Sequence, residues 1–310
     1  MINVLFSAAP ARWDQYNAAL RTAFKNASLD VNLSREFEDP KDVDYLVIAP
    51  NGPITDFSPF TNAKAALNLW AGVESLMPNP TLTMPLARMV DSGLSEGMRE
   101  YVCGHALRYH LEMDNFICAK GTEWRYQVPP LARHRTVGIL GLGELGSACA
   151  QALTGLGFNT LGWSRTPKEI ANVKCYSGTE GLAELLSQTE ILVLLLPLTA
   201  QTENVINAET LAMLPKGARI INPGRGALID DDALLAALNT GHIAHATLDV
   251  FRVEPLPSDH PYWHCDNVTI TPHNASETRA DTSSEIIADN IRRSEAGEPL
   301  RFLVDRSAGY

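Results

Sequence analysis

The chain alternates short, almost wholly apolar runs with longer stretches in which apolar residues recur every three or four positions. That rhythm predicts strands and helices in turn, which is the pattern of an α/β protein built on parallel sheets. In the opening third, Ile2 to Ser7 predicts a strand, Ala11 to Asn26 a helix, Asp44 to Ala49 a second strand and Leu67 to Trp70 a third. A long helical pattern starts at Ser95, a candidate N-cap, and reaches about Phe116, with Met98, Val102, Leu107 and Leu111 along one side. It is expected to carry the chain from one domain to the next. Further strands are predicted from Thr136, at Phe158 to Trp163, Thr189 to Leu196, Ala218 to Asn222, Ala244 to Val250 and Val268 to Thr271. Most are apolar on both sides, as a parallel sheet covered on both faces requires. A helical stretch from Ala280 to Ala296 then leads back to the first domain. A length of 310 residues fits two such domains better than one.

One join in this pattern carries chemistry. The apolar run from Thr136 feeds directly into Gly141-Leu142-Gly143-Glu144-Leu145-Gly146, the spacing G-x-G-x-x-G. Gly141 can adopt the backbone angles of a tight turn, Gly143 lacks the side chain that would keep a pyrophosphate from the backbone, and Gly146 lets the following helix lie close on the strand. Phosphates would face the helix N-terminus, where free N–H groups and the dipole favour negative charge. Such glycines also occur in ordinary loops, but here Ala148, Ala152, Leu153 and Leu156 give a helical apolar face and a strand follows, so dinucleotide binding is the expectation.

The end of the second strand bears on which dinucleotide. A fold that prefers NAD usually places Asp or Glu about 20 residues past the motif to hold the ribose 2′-hydroxyl. This chain has Trp163-Ser164-Arg165-Thr166-Pro167-Lys168 instead. With no carboxylate to repel a 2′-phosphate, and a hydroxyl, a guanidinium and an ammonium close by, the loop favours NADP(H), with NAD(H) still possible. Taken singly, Arg165 and Lys168 could equally be solvated loop charges.

Composition narrows the partners. A net charge of −11 leaves no basic stripe for nucleic acid, though a small anionic substrate needs only local positive charge. No run of about 18 uninterrupted apolar residues occurs, and the N-terminus begins like a strand, so neither a membrane span nor an export signal is expected and the cytoplasm is the expected compartment. The cysteines Cys103, Cys118, Cys149, Cys175 and Cys265 are scattered and odd in number, without C-x-x-C. Neither a disulfide framework nor a metal site is suggested.

Three polar residues fall at or just past the ends of the late strands, where open α/β sheets place ligands. Arg225 lies in Asn222-Pro223-Gly224-Arg225-Gly226, where glycines let a guanidinium project and grip a carboxylate in bidentate fashion, or where it is simply a loop arginine. Glu254 lies in Asp249-Val-Phe-Arg-Val-Glu254-Pro-Leu-Pro257, and His273 follows a proline in Thr271-Pro-His-Asn-Ala. A histidine beside a carboxylate is favoured as imidazolium and is oriented as a proton donor near neutral pH.

With these residues in place the chain resembles the D-isomer-specific 2-hydroxyacid dehydrogenases. The similarity runs over nearly the whole length and is most specific from Val137 to Ala275, through the glycine motif, Leu196-Pro197-Leu198-Thr199 with Thr202, Asn-Pro-Gly-Arg-Gly, Asp-Val-Phe-x-x-Glu-Pro-Leu-Pro and Thr-Pro-His. Arg225, Glu254 and His273, separated by 29 and 19 positions, match that family's catalytic trio. The Trp-Ser-Arg loop and the ending Val304 to Tyr310 are similar to its short bacterial glyoxylate/hydroxypyruvate reductase A group. The resemblance implies two doubly wound parallel-sheet domains: a flavodoxin-like substrate domain (residues 1–95 and 283–310) and a Rossmann cofactor domain (96–282), with a cleft active site and a homodimer. It implies that Arg225 grips the carboxylate and carbonyl oxygen of a 2-oxo acid, that His273 protonates that oxygen as hydride arrives at C2, and that Glu254 holds His273. Asp249 would bond the nicotinamide amide. Leu196, Pro197, Thr202, Pro223 and Gly224 would line the cofactor site. Backbone N–H groups of the loop Ala71-Gly72-Val73, with Ala49 to Asn51 opposite, would meet the substrate carboxylate. The group tends to carry tryptophan where Ala49 stands and a small residue where Trp70 stands, so Trp70 either fills the space Ala49 leaves or belongs to the core. The implied activity is reduction of glyoxylate and hydroxypyruvate, with bulkier 2-oxo acids or a corepressor-like binding role as alternatives.

Overall fold

The computed structural model describes residues 1–117, 124 and 126–306. Cys118 and the last four residues of the C-terminal similarity lie outside the described residues. The chain divides into two compact units, Met1–Leu94 with Glu277–Tyr310, and Ser95–Ser276. The return to the first unit therefore comes after Ser276 rather than after residue 282. Glu277 already pairs with Arg12 of that unit at 2.6 Å.

The first unit opens with β1 (Ile2–Ser7), α1 (Pro10–Asn26), β2 (Val31–Ser34), β3 (Tyr45–Ile48), β4 (Ala65–Asn68) and β5 (Leu86–Ala87). These strands pair in parallel in the order β2-β1-β3-β4-β5. The two strands at the edges were not anticipated, because four residues with one buried position (β2) and two residues in all (β5) leave no periodic signal. Strand β4 ends two residues earlier than the apolar run suggests. Its register with β3 closes at Ile48 opposite Asn68, and the Asn68 amide then turns onto the carbonyls of Trp70 and Gly72.

Helix α2 (Ser92–His110) starts three residues before Ser95. Its cap is Asp91, whose Oδ2 accepts the Leu94 N–H at 3.3 Å, so Ser95 sits inside the helix. The helix stops at His110 instead of continuing to Phe116, because Glu112 turns left-handed at φ 53° and the short α3 (Asp114–Ile117) follows, tied back by Arg108 to Asp114 at 2.6 Å. Leu111 is consequently 36% exposed, off the buried stripe of Met98, Val102, Ala106 and Tyr109.

The second unit continues through β6 (Thr136–Leu140), α4 (Glu144–Gly155), β7 (Asn159–Ser164), β8 (Lys174–Ser177), α5 (Gly178–Leu186), β9 (Ile191–Leu194), α6 (Ala208–Met213), β10 (Ala218–Asn222), α7 (Asp231–Asn239), β11 (Ile243–Leu248) and β12 (Val268–Ile270). The sheet runs β12-β11-β10-β9-β6-β7-β8, parallel throughout. Its order reverses between β6 and β9, the point at which a doubly wound sheet opens a crevice at the carboxyl ends of its strands. Residues of β6, β9 and β10 such as Val137, Ile139, Ile191, Val193, Ile220 and Ile221 are fully buried. The chain returns to the first unit in α8 (Ala280–Glu295), which buries Ile287, Ala288 and Ile291 in the core shared by β1, β3 and α1. Among the described residues no helix is long and apolar enough to cross a membrane.

Candidate active site

The glycine motif forms the join between β6 and α4. Gly141 has φ +104°, and a Cβ there would lie 2.5 Å from the Leu195 carbonyl oxygen, so the turn needs glycine for both angle and space. A Cβ on Gly146 would stand 1.7 Å from the Gly141 carbonyl oxygen, which is the close helix-to-strand approach. Gly143 differs. Nothing lies within 4 Å of its missing Cβ, so the surface ahead of the α4 N-terminus is open there. Glu144 and Leu145 begin the helix, and the buried stripe is Gly146, Cys149, Ala150 and Leu153. The expected face is thus rotated: Ala148 and Ala152 are only partly covered and Leu156 is 44% exposed. Small residues facing β6 outweigh the larger Leu156, because Gly146 fixes how closely the helix lies on the strand. The cradle fits a dinucleotide phosphate: open space over Gly143, a helix N-terminus behind it, and no side chain to displace.

Past β7, the expected phosphate loop divides. Ser164 is buried, and its hydroxyl donates to the Thr166 carbonyl at 2.7 Å, so it shapes the loop rather than facing outward. Arg165, Thr166 and Lys168 are exposed. Lys168 shares with Leu142, Gly143, Glu144 and Ser147 the lining of a cavity of about 350 Å³, which places its charge beside the glycine motif. On the other side of β6, Thr202 closes the loop after β9. Its Oγ1 donates to the Pro197 carbonyl at 2.6 Å and accepts the Thr199 N–H at 2.8 Å, while Leu196 is buried.

The trio stands on the loops after β10, β11 and β12. Asn222, fully buried at the end of β10, accepts the Gly224 N–H at 3.1 Å and donates to the Arg225 carbonyl at 2.9 Å, folding Pro223, Gly224 and Arg225 into a tight loop. Gly226 lies against the Phe251 backbone, where a Cβ would come within 2.1 Å, so the Arg225 loop is pressed onto the loop that carries Glu254. Glu254 Oε1 accepts the Phe251 N–H at 2.9 Å, and Oε2 accepts from His273 Nδ1 at 2.7 Å. With Nδ1 engaged by the carboxylate, Nε2 is the ring nitrogen that faces away from Glu254.

His273 adopts φ 52°, a left-handed conformation uncommon outside glycine. Asp249 holds it there. Its carbonyl accepts the His273 N–H at 2.9 Å; its Oδ1 accepts from Thr271 Oγ1 at 2.6 Å and Asn274 N at 2.9 Å, and its Oδ2 from Ala275 N at 3.0 Å. The carboxylate is 1% exposed and has three of its roughly four acceptor positions filled within the loop. Tyr101 on α2 extends this network through its hydroxyl to Thr271 Oγ1 at 2.7 Å.

In the first unit the residues expected to meet substrate lie at the carboxyl ends of β3 and β4. Ala49 is 5% exposed with its methyl in the apolar core, whereas Trp70 is 36% exposed. Trp70 is therefore not a core residue. Asn51 is exposed, and Ala71 and Gly72 are partly so.

The family model for the D-isomer specific 2-hydroxyacid dehydrogenase NAD binding domain matches residues 104–275. A glyoxylate/hydroxypyruvate reductase A of Serratia proteamaculans is 41% identical over 255 residues, covering 80% of this chain and 82% of its own length. The chain belongs to the D-isomer specific 2-hydroxyacid dehydrogenase family. It is an NAD(P)-dependent oxidoreductase of that family, and the resemblance read from its motifs is borne out, as is the fold of two parallel-sheet α/β units. A family member from Xanthobacter autotrophicus Py2, solved in complex with NADPH and MES, superposes with a TM-score of 0.93 at 42% identity, covering 100% of this chain and 99% of that one. The NADPH-dependent glyoxylate/hydroxypyruvate reductase of Sinorhizobium meliloti, solved with NADP and sulfate, gives a TM-score of 0.89 at 33% identity with both chains fully covered.

Four polar residues of this dehydrogenase were not singled out in the sequence: Asn68, Tyr101, Asn222 and Thr271. Each acts on backbone or on another side chain, and only Asn222 stands in a local pattern whose role can be read. Asn222 was the most accessible, since an Asn before Pro-Gly at a strand end is a recognised turn former.

Proposed function

We propose that this dehydrogenase reduces small 2-oxo acids, glyoxylate and hydroxypyruvate in particular, to 2-hydroxy acids with NADPH. The observation that carries the reading is the Glu254–His273 pair at 2.7 Å, held at the carboxyl edge of the sheet beside the Arg225 loop. A carboxylate, an imidazole with one nitrogen still available, and a guanidinium are the groups that reduction of a 2-oxo acid requires. The Serratia and Sinorhizobium relatives carry the name of this reaction. The choice of NADPH rests on exposed Arg165 and Lys168 and on the absence of an acid at the end of β7. NADPH and NADP occupy the Xanthobacter and Sinorhizobium relatives.

In this mechanism Gly141, Gly143 and the α4 N-terminus would hold the pyrophosphate, and Arg165 with Lys168 would hold the 2′-phosphate. The nicotinamide so held would supply the hydride for C2. Arg225 holds the substrate carboxylate and polarises the carbonyl, so that negative charge developing on oxygen is met by a fixed positive group. His273 gives its Nε2 proton to that oxygen. Glu254 keeps the ring oriented and stabilises its protonated form before transfer. The left-handed turn at His273, enforced by Asp249, gives the ring its position before substrate arrives. The protein is also proposed to work as a homodimer.

A panel of 2-oxo acids assayed with NADPH and NADH tests this reading. The expected order is glyoxylate and hydroxypyruvate above phenylpyruvate in kcat/KM, with NADPH above NADH. Preference for phenylpyruvate would overturn the substrate assignment, and absence of turnover with every acid would favour a corepressor-like binding role.

A further inference from the structure

The first unit contains a buried amide that the trio does not explain. Asn68, the last residue of β4, is 1% exposed. Its Nδ2 donates to two carbonyls of the loop that follows, Trp70 at 2.8 Å and Gly72 at 2.9 Å. The Trp70 carbonyl is held from a second side by the Met89 N–H at 3.0 Å. A trans peptide is planar, with its N–H directed opposite to its C=O. Two carbonyls drawn toward Asn68 therefore direct the next two amides, of Ala71 and Val73, away from it. Both hydrogens of one side-chain amide are used for this, and Oδ1 accepts from no group among the described residues. The amide is thus oriented by its donor side alone, and what it stabilises is the direction of the loop carbonyls.

We infer that Asn68 is a positioning residue that fixes the Trp70–Val73 loop with its backbone N–H groups turned away from it, as hydrogen-bond donors to the substrate carboxylate. The inference rests on the 2-oxo acid reading above and adds to it the residue that orders the loop. A hydrogen-bond donor set that is oriented before the anion binds needs no reorganisation on binding, so loss of the clamp acts on substrate affinity. Cofactor binding belongs to residues of the other unit and should not follow.

The test compares wild type, Asn68→Ala and Asn68→Ser, the last retaining one donor. In steady-state assays with NADPH, Asn68→Ala is expected to raise KM for glyoxylate tenfold or more, to change kcat less than threefold, and to leave KM for NADPH within twofold; Asn68→Ser should fall between. Oxalate, a carboxylate that cannot be reduced, is titrated calorimetrically into each NADPH-loaded protein and should weaken in parallel. An unchanged glyoxylate KM and oxalate affinity in Asn68→Ala would overturn the inference. So would a joint loss of oxalate and NADPH binding with a lowered Tm, which marks a folding role. If Asn68→Ala does not fold, Asn68→Ser carries the same comparison. The oxalate arm separates the two readings: wild type that binds oxalate more tightly than the variants, yet reduces no 2-oxo acid, sinks the proposed reaction and keeps the role of Asn68.

Discussion

At the scale of single residues, His273 is the most exposed to test. Its ring is half exposed and its partner is one carboxylate, so removal leaves the fold nearly untouched while removing the proton donor. His273→Ala should lower kcat by roughly 100-fold or more with NADPH affinity preserved, as seen by steady-state kinetics beside a fluorescence titration. Near-normal turnover would take His273 out of the mechanism. Glu254→Gln should act more mildly, since an amide can still accept from Nδ1 but carries no charge. Arg165 gives the matching test of cofactor choice. Arg165→Ala should weaken NADPH by about 1 to 3 kcal/mol while leaving NADH nearly unchanged, the expected cost of losing a charge-assisted contact to a 2′-phosphate. Equal losses for both cofactors would mean that Arg165 does not read that phosphate. The trio and the glycines were legible because each carries its chemistry in its own side chain or in lacking one. Asp249 was legible as a motif residue but not as the anchor of a left-handed histidine, because its bonds go to backbone amides that no sequence pattern displays.

At the scale of elements, boundaries moved where a side chain bonded locally to backbone. Asp91 began α2 three residues before the serine that looked like its cap, and Asn68 ended β4 before its apolar run did. Central strands with continuous apolar runs were legible, β1 and β10 to the residue. On β11, His245 faces the end of α2, with its Nε2 2.9 Å from Thr269 Oγ1 and its ring 5.4 Å from that of Tyr109. Burial, with Arg108, Arg219 and His105 opposing a proton and Asp114 favouring one, holds its pKa down to about 4 from 6.5. The unfolded chain takes up a proton near pH 6.5, and the folded chain does so only near 4. Stability from this group is therefore complete above pH 6.5 and declines as pH falls from there toward 4. Urea midpoints measured at pH 7.5 and pH 5 should fall in the wild type and fall less in His245→Gln. Equal declines in the two proteins would show that other groups account for the acid sensitivity.

At the scale of the whole molecule, the α/β rhythm carried the two-sheet architecture, while the exposed apolar surface has no such periodic signal. Of the fourteen large apolar side chains exposed among the described residues, eight fall between Leu111 and Leu131. They include Phe116 at 46%, Ile117 at 72%, Trp124 at 93% and Tyr126 at 86%. In the sequence only Leu111 to Phe116 read as the end of a long amphipathic helix, with Leu111 on its covered side; the left-handed turn at Glu112 ends that helix, and Leu111, Met113 and Phe116 are exposed. Single exposed apolar residues are ordinary, but these suit a surface covered by another protein, and a second copy of the chain is the partner that the homodimer proposal supplies. Light scattering at micromolar concentration should give twice the chain mass. Replacing Trp124 and Tyr126 together by Asp should shift that mass toward one chain, because two desolvated carboxylates would replace two buried rings. A wild type of single-chain mass removes the dimer. A dimer that survives the double substitution keeps the assembly and moves its interface away from these two rings.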